Sequence, residues 1–393
     1  MNGPDAPDAS KPAGTRTHSI DNLRTFLNIL VILHHSALAF SRVGTWPYMS
    51  PFPSSAFSNA AITLFALLNQ TFFMGLLFFL AGHFSAISVE RKTYRAFCVD
   101  KLKRLGIPTV GYTLILHPMM LLLADWARNE SLWGTLTSYY AQLDGVSGTV
   151  WFTATLLAFD LTYATTRLFL PTSFTHLIPT TQAQYHTATV LGFSITTIVT
   201  FLVRLAYPTG RTMPPLSLQL GYAPQYVLAY IAGAGTSTPT TRQWILTPNP
   251  NLHRALVRAY AGATFTLLLA FTTLGPWTLA EGGYHGGWSP AALFYAIWND
   301  ACFYFLGRAW YSYFLASPHT KRKWGDKLQA RASYGAFLVH SVVVVALQIL
   351  VDRAAGAMLD GVFKAVIVGG LAVFGSWAVA SRLIRIRWVG SVI

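Results

Sequence analysis

The sequence predicts an all-α protein, a polytopic transmembrane helix bundle of about ten spans with both termini in the cytoplasm. Three observations carry that expectation. The 393 residues are 53% hydrophobic and only 11% charged, with a mean hydropathy of +0.43, whereas roughly a quarter of a soluble chain is charged. Apolar runs long enough to cross a hydrocarbon core of about 30 Å recur from end to end. The basic residues gather on one side of those runs. No polar stretch exceeds about twenty-five residues, which leaves no room for a separate extramembrane domain.

Residues 1–20 are rich in Pro, Gly and small polar residues and are expected as a disordered cytoplasmic tail. They lack the apolar stretch and small-residue cleavage pattern of a secretory signal, so the first span serves as its own insertion signal. The transmembrane domain covers 21–387, and 388–393 form a C-terminal tail. Its first span, 22–42, is "NLRTFLNILVILHHSALAFSR". The second, 60–88, is long and continues as helix toward "RKTYRAF". The third, 105–127, follows the basic segment "KLKR", and the fourth, 149–170, opens on "TVWF". The fifth and sixth, 187–207 and 217–236, carry the weakest signals, because Arg204 sits near the end of one and Pro224 interrupts the other. Apolar runs then mark 256–278, 289–315, 331–352 and 357–384. No inverted repeat relates these segments.

With the N-terminus in the cytoplasm, the segments after even-numbered spans share that side. They hold Arg91, Lys92, Arg95, Lys101, Lys103 and Arg104, then Arg242, Arg254 and Arg258, then Lys321, Arg322, Lys323, Lys327 and Arg331, and finally Arg385 and Arg387. The opposite segments hold Arg128, Arg211, Arg353 and Lys364, and every lysine except Lys364 falls on the cytoplasmic side. The net charge of +14 is therefore a topology signal and not a nucleic-acid footprint. Cys98 and Cys302 give neither a disulfide framework nor metal-ligand spacing.

Ionisable residues inside a span are costly and mark candidate sites. The first span carries His34 and His35. Arg24 and His35 are eleven positions apart, so at about 100° per residue they lie within about 20° of one direction, roughly 16 Å apart along the axis. His34 is turned about 80° from Arg24. Arg24 at the cytoplasmic edge and His35 near the bilayer centre form an anchor for an anionic group and a base beyond it. His34 is assigned a structural role, and the bland alternative makes both histidines interhelical hydrogen-bond partners. In "FCVDKLKRLGIP", Lys101 and Arg104 are three apart and share a helix face. Such a face suits a phosphate-rich ligand, or simply sets topology and attracts anionic headgroups.

These segments resemble the acyltransferase family 3 of integral membrane proteins, also called glucan-biosynthesis-protein-C-like, over nearly the whole chain. "RTFLNILVILHH" is similar to its first-span motif of an arginine, ten residues and a histidine, on Arg24 and His35. "FFLAGHFSA" resembles its "FFLSG" segment, and "KLKRLGIP" its "RxxRLxxP" motif with Lys101 and Arg104 in the arginine places. "GTVWF" resembles its Gly-x-x-Trp-Phe segment, and "SYGAFLVH" its "SYxxYLxH" segment ending on His340. The resemblance implies transfer of an acyl group, acetyl or similar, from a cytoplasmic acyl-CoA, with acetyl-CoA the expected donor and no metal. The acceptor it implies is a hydroxyl of a lipid, a glycan or sugar, or a secondary metabolite, in O-acetylation at the endoplasmic reticulum or plasma membrane. It also implies His35 as catalytic base and Arg24, Lys101 and Arg104 as donor ligands. Lys101 departs from the arginine of the motif and loses its planar fork. In "AIWNDACF", Asn299 interrupts a Trp-Glu pattern and leaves Asp300 as a substitute.

A neutral His35 in reach of a hydroxyl can accept its proton, an effect worth about 10²–10⁴-fold. An acyl-histidine route is the alternative. A carboxylate on the other ring nitrogen would set the tautomer, and Asp160 and Asp300 are the candidates. Asn28 is the candidate oxyanion donor. His340 is expected to line the cavity or to pack, and Trp151 to pack at the interface or line the substrate path. His83 and His117 read as structural, and Gln225 and Tyr226 follow a proline that opens the helix backbone. The competing function classes are a membrane transporter or flippase, which a ten-span bundle with buried polar groups fits, and a membrane-embedded terpenoid-type cyclase or isomerase.

Overall fold

A computed structural model describes residues 18–41, 43–169, 179, 181–236, 251–274, 283–324 and 330–392. Residues 1–17 of the expected tail, Arg242, Lys327 and the side chain of Arg331 lie outside that description. Among the described residues the regular elements are helices, apart from one antiparallel bridge between Met213 and Leu218.

Each predicted span contains a helix. They are α1 (His18–Leu38), α2 (Ala56–Arg91), α3 (Tyr94–Arg128), the short surface helix α4 (Leu132–Ala141), α5 (Trp151–Phe169), α6 (Gln182–Ala206), α7 (Ala223–Gly235) and α8 (Leu252–Thr273). Then follow α9 (290–316), α10 (Ala330–Ala355), α11 (Gly361–Leu383) and a terminal turn of helix, α12 (Arg387–Val392). Six of them, α2, α3, α6, α8, α10 and α11, are long and apolar enough to cross a membrane. The N-termini follow local chemistry. Ser55, Thr93, Ser131 and Ser289 each accept a backbone N–H three residues on, and Thr181 forms a reciprocal box with Gln184.

Several boundaries differ from expectation, most of all the start of α3, at Tyr94 where the third span was expected from 105. α1 begins at His18, inside the expected tail, because Asn22 donates to the carbonyls of Thr320 and Arg322, both at 2.7 Å, and ties the first turn to the chain beyond α9. It also ends at Leu38 and not near 42, so His35 sits in the last turn and not at mid-helix. α12 occupies most of the expected C-terminal tail.

α1 is the hub, packed against α2, α9, α10 and α11. On the other side α2 and α7 approach backbone to backbone. A Cβ added at Gly82 would overlap the carbonyl of Tyr230, and one at Gly233 the carbonyl of Phe79. The glycine of "FFLAG" is therefore a helix-crossing point, as small residues are in membrane bundles. Gly148 of "GTVWF" has a different reason, a left-handed φ of +69°. Lys364, the one lysine that breaks the charge asymmetry, lies inside the bundle on α11. Its Nζ is 2.6 Å from Oδ1 of Asp352, and both side chains are 2% exposed. It serves packing, not topology.

Candidate active site

His35 is joined to α10. Its Nδ1 lies 2.8 Å from Nε2 of His340. The rings are inclined by 12° with centroids 5.0 Å apart. Two imidazoles joined edge to edge through that nitrogen pair reach such a separation in one plane, so the contact is an in-plane hydrogen bond. His340 Nδ1 is in turn 2.5 Å from the carbonyl oxygen of Phe337. A carbonyl only accepts, so His340 carries its proton on Nδ1 and presents the Nε2 lone pair to His35. With both rings neutral, His35 then donates from Nδ1 and keeps a lone pair on Nε2. That nitrogen has no hydrogen-bond partner among the described residues.

The ring is held from its face as well. Trp46, in the loop between α1 and α2, stacks on His35 at 4.7 Å and 14°. The indole Nε1 donates to Oε1 of Gln348 at 2.8 Å, and Gln348 Nε2 donates to the carbonyls of His35 and Ser36. Tyr48 of the same loop donates to Oδ2 of Asp352 at 2.8 Å, so the loop is anchored to α10 at two points. His34 is turned the other way, buried against the Phe73 ring at 5.1 Å. Helical phase turns the two rings to different neighbours, and the partner of His35 is a histidine where a carboxylate was expected.

Neither candidate carboxylate is bonded to His35. Asp160 is fully buried and accepts from Ser85 Oγ at 2.5 Å and Tyr230 Oη at 2.6 Å. Lys101 Nζ stands 2.8 Å from its other oxygen. A buried carboxylate requires such a counter-ion, which draws Lys101 inward to 16% side-chain exposure while Arg104 remains 65% exposed. The shared basic face does not form, because α3 changes to a π-helical turn at Leu102–Gly106. Bonding i to i+5 widens the turn and breaks the three-residue register. Arg104 pairs instead with Asp100 at 3.2 Å. Asp300 accepts from Asn299 at 3.3 Å and stands beside Arg204, Thr197 and Thr200 of α6.

Asn28 is also committed elsewhere. Both amide hydrogens are taken by Ser333, at 2.7 Å to Oγ and 3.1 Å to the carbonyl, so it fastens α1 to α10 and does not stand ready for an oxyanion. Arg24 lays its guanidinium 4.6 Å over the ring of Phe84 on α2. Trp151 stacks on Tyr226 at 5.6 Å. Phe152, next to it, meets Phe337 at 5.7 Å, and Phe337 meets His340 at 5.7 Å. An aromatic wall thus leads from α5 to the histidine pair.

A comparison with protein families matches residues 17–381 to acyltransferase 3, described as an acyltransferase domain. The chain belongs to the acyltransferase-3 family. No curated protein and no solved structure matches it. Membership together with the six apolar helices makes the protein a membrane acyltransferase. Of the acyltransferase-3 motif residues, the fold brings His35 and His340 together across more than three hundred positions. It separates Lys101, in an ion pair with Asp160, from Arg104. Sequence reasoning missed Trp46 and Gln348. Gln348 had a signal, a lone amide in the apolar run "SVVVVALQIL". Trp46 had none, since a tryptophan in a loop beside a span is ordinary.

Proposed function

We propose that this protein is an integral membrane O-acyltransferase with about ten spans and both termini in the cytoplasm, moving an acetyl or similar acyl group from a cytoplasmic acyl-CoA. The acceptor is a hydroxyl of a lipid, sugar or secondary metabolite. His35 is the general base. The observation that carries this reading is the hydrogen-bonded chain from the Phe337 carbonyl through His340 to His35 Nδ1, which leaves Nε2 basic. The acceptor hydroxyl attacks the thioester carbonyl carbon while its proton passes to Nε2. The tetrahedral intermediate then expels the thiolate, which takes the proton back from the imidazolium. The products are an ester and the free thiol of coenzyme A.

His340 supports that cycle in a neutral form. When His35 becomes an imidazolium, its Nδ1–H becomes a charge-assisted donor to the waiting lone pair of His340, which strengthens the bond at the moment positive charge develops. Trp46 stacked on the ring adds a cation–π contact to the same charged state. Arg24 and Arg104 supply positive charge toward the donor phosphates. Lys101 acts through Asp160, fixing the cytoplasmic ends of α2, α3 and α5. The test is release of free coenzyme A thiol by the purified protein in micelles, with acetyl-CoA and a hydroxylated metabolite extract. Loss of release in His35→Ala, with the fold intact by thermal melting, is the expected result. Undiminished release in that variant refutes the base.

A further inference from the structure

A groove of about 920 Å³ runs between α8 and α9, and its walls contain no residue of the candidate site. The two helices are antiparallel, since His253 meets Tyr313 and Trp298 Nε1 donates to the carbonyl of Ala263 at 3.1 Å. The groove therefore has two unlike ends. Arg258 and Arg308 line the half nearer the start of α8, where Lys321, Arg322 and Lys323 follow α9 closely in the chain. The rest is mostly apolar, with Gly262 and Ala263 on one wall and Trp298 on the other, and Thr266, Tyr304 and Ser312 bring hydroxyls. No carboxylate lines it among the described residues. Its rims, including Val257 and Phe305, are exposed apolar side chains, so this face is turned to hydrocarbon.

We propose that the groove binds an anionic glycerophospholipid, with its phosphate held between Arg258 and Arg308 and an acyl chain lying along Gly262, Ala263 and Trp298. Charge decides the occupant. Two guanidiniums at the basic side of a membrane helix pair suit a phosphodiester, which accepts from Arg bidentately. A second copy of the chain suits them poorly. Copies in one membrane share an orientation, so a two-fold interface on this face would set the arginine pair at the same depth as its own image, and like charges so placed repel. The small residues explain the depth of the groove, because Gly262 meets no atom within 4 Å of an added Cβ. The proposal is independent of the role of His35.

The test is native mass spectrometry of the full chain in neutral detergent, titrated with phosphatidylglycerol, with phosphatidylcholine of the same acyl chains, and with soluble glycerol 3-phosphate. Retention of phosphatidylglycerol over the other two is expected. Arg258→Ala with Arg308→Ala should weaken it roughly thirtyfold, taking about fivefold for each interfacial charge. Gly262→Phe fills the groove without touching either charge and should weaken it comparably. Arg95→Ala with Lys103→Ala, on the basic side but away from the groove, should leave it unchanged. Equal retention of the two lipids overturns the proposal, as does binding of glycerol 3-phosphate as tight as that of the lipid. Loss in the double arginine variant but not in Gly262→Phe means surface charge alone and overturns it too. A dimer mass that Gly262→Phe abolishes assigns the face to a second copy instead.

Discussion

Replacing His340 by Phe removes one acceptor and keeps an aromatic ring of similar size in its place. In the wild type, His35 Nδ1–H points at a lone pair 2.8 Å away. In the variant that N–H is partly buried without a partner, a state that costs about 1–3 kcal/mol relative to a satisfied donor. The ring can escape the cost by moving its proton to Nε2, the atom the mechanism needs unprotonated. The productive tautomer then falls by about fivefold to somewhat over a hundredfold. The lost charge-assisted bond in the transition state adds to this, so kcat should fall by about 10–10³-fold, with KM for the donor little changed. The assay is steady-state thiol release, with 15N chemical shifts of His35 reporting the tautomer directly. His340→Gln, whose Oε1 can accept from Nδ1, should recover part of the rate. A wild-type rate in His340→Phe, or an unchanged His35 tautomer, refutes the relay.

Lys364→Met should destabilise the protein by about 3–5 kcal/mol, because it strands the buried Asp352 carboxylate. The double replacement with Asp352→Leu should cost less than that single one, as thermal melts of the two will read. Gly233→Ala forces a methyl into the Phe79 carbonyl of α2 and should cost about 1–3 kcal/mol or more in the same melts. Asp360, one residue outside α11, accepts from the Ser55 and Ser58 hydroxyls and from backbone N–H groups, which hold its carboxyl well below the ordinary carboxylate range. Its folded pKa is depressed, so its contribution is present above the unfolded value of about 3.9 and is lost as pH falls below it. Melting temperature should drop in acid in the wild type, and Asp360→Asn should lower it at neutral pH and flatten that acid limb. Lys101→Met should lower stability, with recovery when Asp160→Leu is added. A pure rise in donor KM with no loss of stability would instead make Lys101 a direct donor ligand.

The helical class and the position of each apolar segment were legible because burial in hydrocarbon imposes a signal on every residue of a run, and composition alone records it. Helix ends were less legible. α1 starts and stops where Asn22 and the Trp46 loop find distant partners, which no local pattern reports. The separation of His34 from His35 followed from helical phase, a property of the chain next to itself. Phase failed for Lys101 and Arg104, since a π turn between them changes the register and Asp160 draws one of them inward.

The sequence by itself determined a helical membrane protein with an arginine and a histidine on its first helix, because apolar runs are carried by neighbours in the chain, and its short motifs carried the resemblance to the acyltransferase-3 family. Only the tertiary structure decided who partners whom. Asp160 and Asp300 each looked able to orient His35, and the fold gave that place to His340. The reason is physical. A buried carboxylate must be neutralised by the nearest cation or donor that packing brings to it, and packing joins residues hundreds of positions apart that share no local pattern.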